Sequence, residues 1–233
     1  MLELTRFTQA GVLVAGLSIS SVQASVLYEN NFESGSTSGL SGVIDVQTAP
    51  NNGEKFIGFL SVGASTTLSL NTTGVSRISL SFDLYTLESV DGDNLSFGPD
   101  YFDLDINSSE TLLHATFSND VTDTYRQSFG GTDSLAGTGS DPALTGILGY
   151  NYSAEALDHT YHLSFEVDVF GPSTNINFVG NTNQPWSDEG FGIDNIRVTN
   201  LSAVPVPGSL PLFGSALMGI AGIMRRKRVF QFM

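Results

Sequence analysis

Arg77-Ile-Ser-Leu-Ser-Phe-Asp-Leu-Tyr-Thr-Leu87 alternates apolar and polar side chains along its length. Ile78, Leu80, Phe82 and Leu84 fall on one face, and Ser79, Ser81, Asp83 and Tyr85 on the other. A period of two marks a strand buried on one side. Tyr101-Phe-Asp-Leu-Asp-Ile106 repeats the pattern through Phe102, Leu104 and Ile106. Thr160-Tyr-His-Leu-Ser-Phe-Glu-Val-Asp-Val-Phe170 repeats it through Tyr161, Leu163, Phe165 and Val167. Shorter strands fit residues 26–32, 55–61, 65–70, 111–117, 174–179 and 191–199, separated by turn clusters such as Asp91-Gly-Asp-Asn94 and Gly130-Gly131. Many short strands with no helical pattern between the ends predict an all-β domain. The expected form is a two-sheet antiparallel sandwich of jelly-roll, lectin-like kind. Residues 118–141 are polar and glycine-rich, and read as a long loop.

The ends differ from this middle. Residues 1–24 hold one basic residue, Arg6, then the apolar run Ala10-Gly-Val-Leu-Val-Ala-Gly-Leu17, then Ser21-Val-Gln-Ala24. Small residues at Val22 and Ala24 fit a signal-peptidase site, so a secretory signal cleaved after Ala24 is expected. At the other end, Val204-Pro-Val-Pro207 precedes an uncharged, mostly apolar stretch at 208–224, closed by Arg225, Arg226, Lys227 and Arg228. That is the layout of one transmembrane helix with a basic stop, leaving 229–233 cytoplasmic. The domain proper is then 25–203.

The tail resembles the PEP-CTERM sorting signal of Gram-negative bacteria. The residues that carry the likeness are Val204, Pro205 and Pro207, the Gly- and Ala-containing apolar segment, and the basic block from Arg225 to Arg228. Val206 stands where that signal has Glu. The resemblance implies an exosortase as processing partner, delivery to the surface, and association with exopolysaccharide and biofilm. Simple retention as a membrane anchor is the alternative. The middle of the chain is similar to a domain common among such proteins, through Phe82-Asp-Leu-Tyr-Thr-Leu-Glu-Ser-Val-Asp-Gly-Asp-Asn94, Gly98-Pro-Asp-Tyr-Phe-Asp-Leu104 and Asp188-Glu-Gly-Phe-Gly-Ile-Asp-Asn-Ile196.

Charge is lopsided. The domain retains four basic side chains (Lys55, Arg77, Arg126, Arg197) against 23 acidic ones, a net charge of −19. Such a surface disfavours nucleic acid and polyanions, and favours divalent cations. There is no cysteine, which removes disulfides, thiol nucleophiles and zinc–thiolate sites.

Hard oxygen donors on turns are the Ca2+ candidates: Asp91, Asp93 and Asn94 in one turn, and Asp188-Glu189 with Asp194-Asn195 around the start of the last strand. Ordinary turn chemistry is the alternative reading of these residues. In carbohydrate-binding jelly rolls a structural Ca2+ joins first- and last-strand carboxylates, parts that fall to Glu33 and Asp194. His159 and His162 are three apart on a strand and point to opposite faces, which argues against a shared metal. Trp186, in the loop 181–189, is the candidate for stacking on a sugar ring; Tyr150, Tyr152 and Phe191 are further aromatics. No Ser-His-Asp signature, Gly-x-Ser-x-Gly elbow or phosphate loop occurs. The expectation is a non-enzymatic, exported sandwich that meets extracellular polysaccharide. A secreted carbohydrate-active hydrolase and a ligand-free matrix protein are the alternatives.

Overall fold

The computed structural model describes residues 25–120 and 125–202. The expected signal (1–24), the sorting tail (204–228) with its membrane segment, and the end 229–233 lie outside the described residues. Among the described residues no helix is long and apolar enough to cross a membrane.

The chain is all-β. Its strands are β1 (Val26–Asn30), β2 (Leu40–Gly42), β3 (Val46–Thr48), β4 (Lys55–Leu60), β5 (Ala64–Asn71), β6 (Arg77–Glu88), β7 (Tyr101–Ile106), β8 (Glu110–Thr116), β9 (Arg126–Gln127), β10 (Ser134–Leu135), β11 (His159–Asp168), β12 (Ser173–Asn181) and β13 (Glu189–Asn200). One 3-10 turn, Pro142–Leu144, interrupts them. The first sheet runs β11-β6-β13-β4-β3 with β1 also on β13, and the second runs β2-β5-β12-β7-β8. All these pairings are antiparallel. The chain crosses between sheets at β4–β5, β5–β6, β6–β7, β11–β12 and β12–β13, so the sheets form the two layers of a sandwich.

The alternation in β6 decides this arrangement, as its sequence predicts. Ile78, Leu80, Phe82 and Leu84 are buried and meet Leu68, Phe102, Leu104, Ile176 and Phe178 from the second sheet. Phe82 sits edge-on to Phe178 at 5.0 Å between ring centroids. Each such ring stabilises the fold by roughly 1.5–3 kcal/mol through burial.

The outer face of β6 departs from a half-buried strand at its far end. Tyr85 and Leu87 are buried there with Phe56 of β4 and with Leu148, which lies in the connection between the 3-10 turn and β11. That connection folds back over the first sheet and makes a second, smaller core. Asp158 fastens it: its carboxylate accepts the backbone N–H groups of Leu148 (3.1 Å), Gly149 (2.8 Å) and Tyr150 (3.2 Å).

The described residues of the expected long loop, 118–120 and 125–141, carry regular structure. β9 and β10 pair there. Gln127 is fully buried, and its side chain binds the N–H groups of Ser118 and Gly137, the hydroxyl of Tyr161 and the carbonyls of Phe129 and Thr138. One satisfied amide thus pins the segment to β11. In β13 the register against β6 shifts between Asp194 and Arg197, and Asn195 adopts φ 50°. Asn tolerates that left-handed geometry. The bulge marks the point where β13 changes neighbour from β4 to β1.

Candidate functional site

One end of the sandwich carries three buried carboxylates. Asp91 follows β6, Asp100 precedes β7, and Glu189 opens β13. Asp91 is 6 % exposed, and the other two are fully buried. One oxygen of each lies within 4.8 Å of the others, the one such acidic or histidine group among the described residues. Asp100 accepts the N–H of Asp91 (2.6 Å) and of Asn183 (3.1 Å). Glu189 accepts the backbone N–H of Gln184 and its side-chain amide, both at 3.0 Å. Burial and the neighbouring carboxylates push Glu189 up to about 9. Burial pushes Asp91 up to about 6 and raises Asp100 as well. Three carboxylates this close cannot all remain ionised unless a proton or a cation sits among them. The donor set is hard oxygen, the chemistry that Ca2+ takes.

Beside this triad lies a run of aromatic rings. Trp186, on the β12–β13 loop, is 60 % exposed, and its ring lies 5.5 Å from that of Phe59 at a tilt of 35°. Phe59 meets Tyr150 edge-on at 5.2 Å. Tyr150 meets Phe56 at 5.7 Å, and Phe56 meets buried Tyr85 at 5.3 Å. The rings therefore pass from solvent into the smaller core. Gly190 and Gly192 of β13 make room for them. A Cβ on Gly190 would come within 2.9 Å of the Phe59 ring, and one on Gly192 within 2.7 Å of the Phe56 ring. The phenylalanine and isoleucine that alternate with these glycines, Phe191 and Ile193, face the main core.

The residues singled out from sequence are dispersed by the fold. Of the Ca2+ candidates Asp91 and Glu189 belong to the triad, one from each expected group. Asp188 lies near enough for its charge to raise Glu88, Asp91 and Asp100. Asp93 accepts the hydroxyl of Thr116 on β8, and Asn94 accepts the N–H groups of Ser96 (2.8 Å) and Phe97 (3.1 Å) within its own turn. Glu33 is exposed and accepts the N–H of Lys55 at 2.9 Å. Asp194 is buried, accepts the hydroxyl of Tyr85 (3.1 Å) and the N–H of Asn195 (2.6 Å), and is pushed by burial up to about 7. No described cluster joins Glu33 to Asp194.

His159 is buried, whereas His162 is exposed on the opposite face, 2.5 Å from Asp83, as their spacing requires. Trp186 is exposed as expected, Tyr150 is half-buried behind it, Tyr152 is exposed and Phe191 is core. Asp100 was not foreseen, and Glu189 was expected with Asp188 in a separate group rather than beside Asp91. Their signal was present in Gly98-Pro-Asp100 and in the paired acids Asp188-Glu189, but nothing local brings the two turns together.

No known protein family and no curated protein matches the chain. Solved structures that resemble the chain include three of carbohydrate-related proteins. A family GH115 4-O-methyl-α-glucuronidase with specificity for decorated arabinogalactans is 9% identical, with a TM-score of 0.42 over 81% of this chain and 19% of that one. A family 35 carbohydrate binding module from an environmental isolate is 16% identical, with a TM-score of 0.35 over 80% of this chain and 94% of that one. A family 35 module from Clostridium thermocellum is 11% identical, with a TM-score of 0.32 over 71% of this chain and 89% of that one. The chain thus spans about a fifth of the glucuronidase and most of each module.

Proposed function

We propose that the protein is a non-catalytic, exported jelly roll that binds extracellular polysaccharide through Trp186, after sorting by its PEP-CTERM-like tail. The observation that carries the binding reading is Trp186 itself: a 60 % exposed indole held against Phe59, with Tyr150 behind it. A rigid aromatic face of this kind matches the C–H face of a pyranose, and buried rings behind it lower the cost of holding it still. Support for export and sorting comes from the residues at the two ends of the chain, with an exosortase as processing partner. In this reading Ca2+ is held by Asp91, Asp100 and Glu189. The support is donor chemistry and burial, and the loop that carries Trp186 hangs from the same carboxylates.

Trp186 is the sole tryptophan, so intrinsic fluorescence reports on it alone. Titration of the purified protein with polysaccharides selected on a glycan array, with and without EDTA, is expected to quench or shift that emission. Absence of array binding in every condition sinks the reading and leaves a ligand-free matrix protein. Release of sugar from the bound polysaccharide assigns a hydrolase instead.

A further inference from the structure

A second concave surface lies away from Trp186, where β1 and the turn after it meet the bulge of β13. It is an open concavity of about 900 Å3, within the range of small-ligand sites. Its lining mixes the apolar surface of Leu27 and Tyr28 with hydroxyls and amides: Ser34, Ser36 and Ser38 on the turn, Ser81 on β6 and Asn195 on the bulge. Glu29 and Arg197 are the two charged residues of the lining, and they are cross-strand partners bonded to each other at 2.6 Å. The lining thus carries no net charge in a domain of net charge −19, with Asp83 (2.9 Å) and Asp194 (3.4 Å) behind it as acceptors of the Asn195 side-chain amide.

The turn holds its hydroxyls in order. Ser34 Oγ accepts the N–H of Ser36 (3.3 Å), and Ser36 Oγ accepts the N–H of Ser38 (3.4 Å). Each oxygen is fixed through its lone pair, which leaves its proton to donate outward. Asn30 braces the turn through the carbonyl of Ser36 at 2.8 Å. Tyr28 adds a partly buried ring to the same lining.

We infer that this cleft is a second glycan subsite, selective for neutral sugar chains. The serine hydroxyls donate and the Asn195 amide oxygen, whose N–H2 is turned to Asp83 and Asp194, accepts, which matches the donors and acceptors of sugar hydroxyls. A self-compensated ion pair offers nothing to a uronate or sulfate, and the surrounding acidic surface repels them. The inference rests on the glycan-binding reading above but uses none of its residues.

The test is a backbone-amide NMR titration of the full-length chain with neutral hexasaccharides (glucan, mannan, xylan and galactan fragments) and with hexagalacturonate. The Trp186→Ala variant serves as the background. A neutral hexasaccharide is expected to shift the amides of Ser34, Ser36, Ser38 and Asn195 in that variant, and hexagalacturonate is not. Ser36→Leu, at an exposed position, is expected to weaken this binding at least tenfold without changing the melting temperature. The inference is overturned if no neutral hexasaccharide moves these amides, or if hexagalacturonate moves them equally. Failure of the Trp186 reading shows separately in the wild-type protein, as indole emission that stays constant while the cleft amides move.

Discussion

Glu189 accepts two hydrogen bonds from Gln184, one from its backbone N–H and one from its side-chain amide, each 3.0 Å long. Gln184 stands two residues before Trp186, so a buried carboxylate fixes the base of the loop that presents the indole. Asp100 holds the adjoining residue, Asn183, through its N–H. The triad and the aromatic surface are thus mechanically one unit.

The triad makes stability depend on pH. Glu189 ionises near 4.5 when unexposed to the fold and near 9 within it. Between those values the native state keeps a proton that the unfolded chain has released. Its contribution is therefore complete below about 4.5 and is lost as pH rises through 9. Asp91 (about 6) and Asp194 (about 7) act with the same sign but are spent by pH 8. In chelator, the melting temperature of the wild type is expected to fall from pH 7.5 to 9.5. Glu189→Gln keeps an acceptor for Gln184 and is expected to flatten that slope. Parallel slopes for the two proteins would refute this account of Glu189.

Ca2+ binding at the triad predicts the converse. A cation replaces the proton, so added Ca2+ is expected to raise the melting temperature more at pH 8 than at pH 5. At one hundred times the dissociation constant the gain is about 2.7 kcal/mol. Asp100→Asn is expected to lose most of the response, because it removes one ligand charge at a fully buried position. A melting temperature that ignores Ca2+ at both pH values leaves the triad as a proton-sharing cluster.

Gly192 tests the packing beneath the aromatic surface. A Cβ there would lie 2.7 and 2.8 Å from two Phe56 ring atoms and 3.2 Å from Tyr85. Phe56 is fully buried and boxed in by Tyr85 and Tyr150, so it has little room to withdraw. Gly192→Ala is expected to cost about 1–3 kcal/mol in urea unfolding, the range for overpacking. A shift in Trp186 emission should accompany it through Phe59. A midpoint unchanged from wild type would show that the rings relax freely.

These features differ in how far the sequence displays them. The strands with unbroken alternation, β6, β7 and β11, were legible because one face of each is core and a period of two survives in the residues. β2 and β3 were not, being three residues each, too short for any period to show. β9 and β10 were hidden in a polar, glycine-rich segment whose order comes from the buried amide of Gln127. Trp186 was legible as a loop aromatic. Asp91 and Glu189 were legible as turn acids, but Asp100 and the meeting of the three were not. Asp100 lies nine residues on and Glu189 nearly a hundred, and only the crossing from the first sheet to the second and back brings them together. Asp93 and Asn94 carried the same local signal as Asp91 and went to other hydrogen bonds instead.

Asp158 offers the sharpest test of how the smaller core is closed. Its carboxylate is fully buried and accepts three consecutive backbone N–H groups, from Leu148 to Tyr150. Those residues carry Leu148 onto Phe56 and Tyr85, and Tyr150 onto Phe59. Asp158→Asn nearly preserves volume but turns one acceptor oxygen into an N–H2 group that faces N–H donors. Bonds to a charged acceptor contribute about 1.5–3 kcal/mol each, and a buried donor left without a partner costs about 1–3 kcal/mol. The variant is therefore expected to lose about 2–4 kcal/mol, with faster hydrogen exchange at the amides of Gly149 and Tyr150. The main core does not depend on this segment, so amides of β7 and β12 should keep more of their protection than those two. Uniform loss across both sheets would mean that the covering segment and the sandwich unfold as one. Unchanged exchange at Gly149 and Tyr150 would mean that Asp158 does not hold the segment at all.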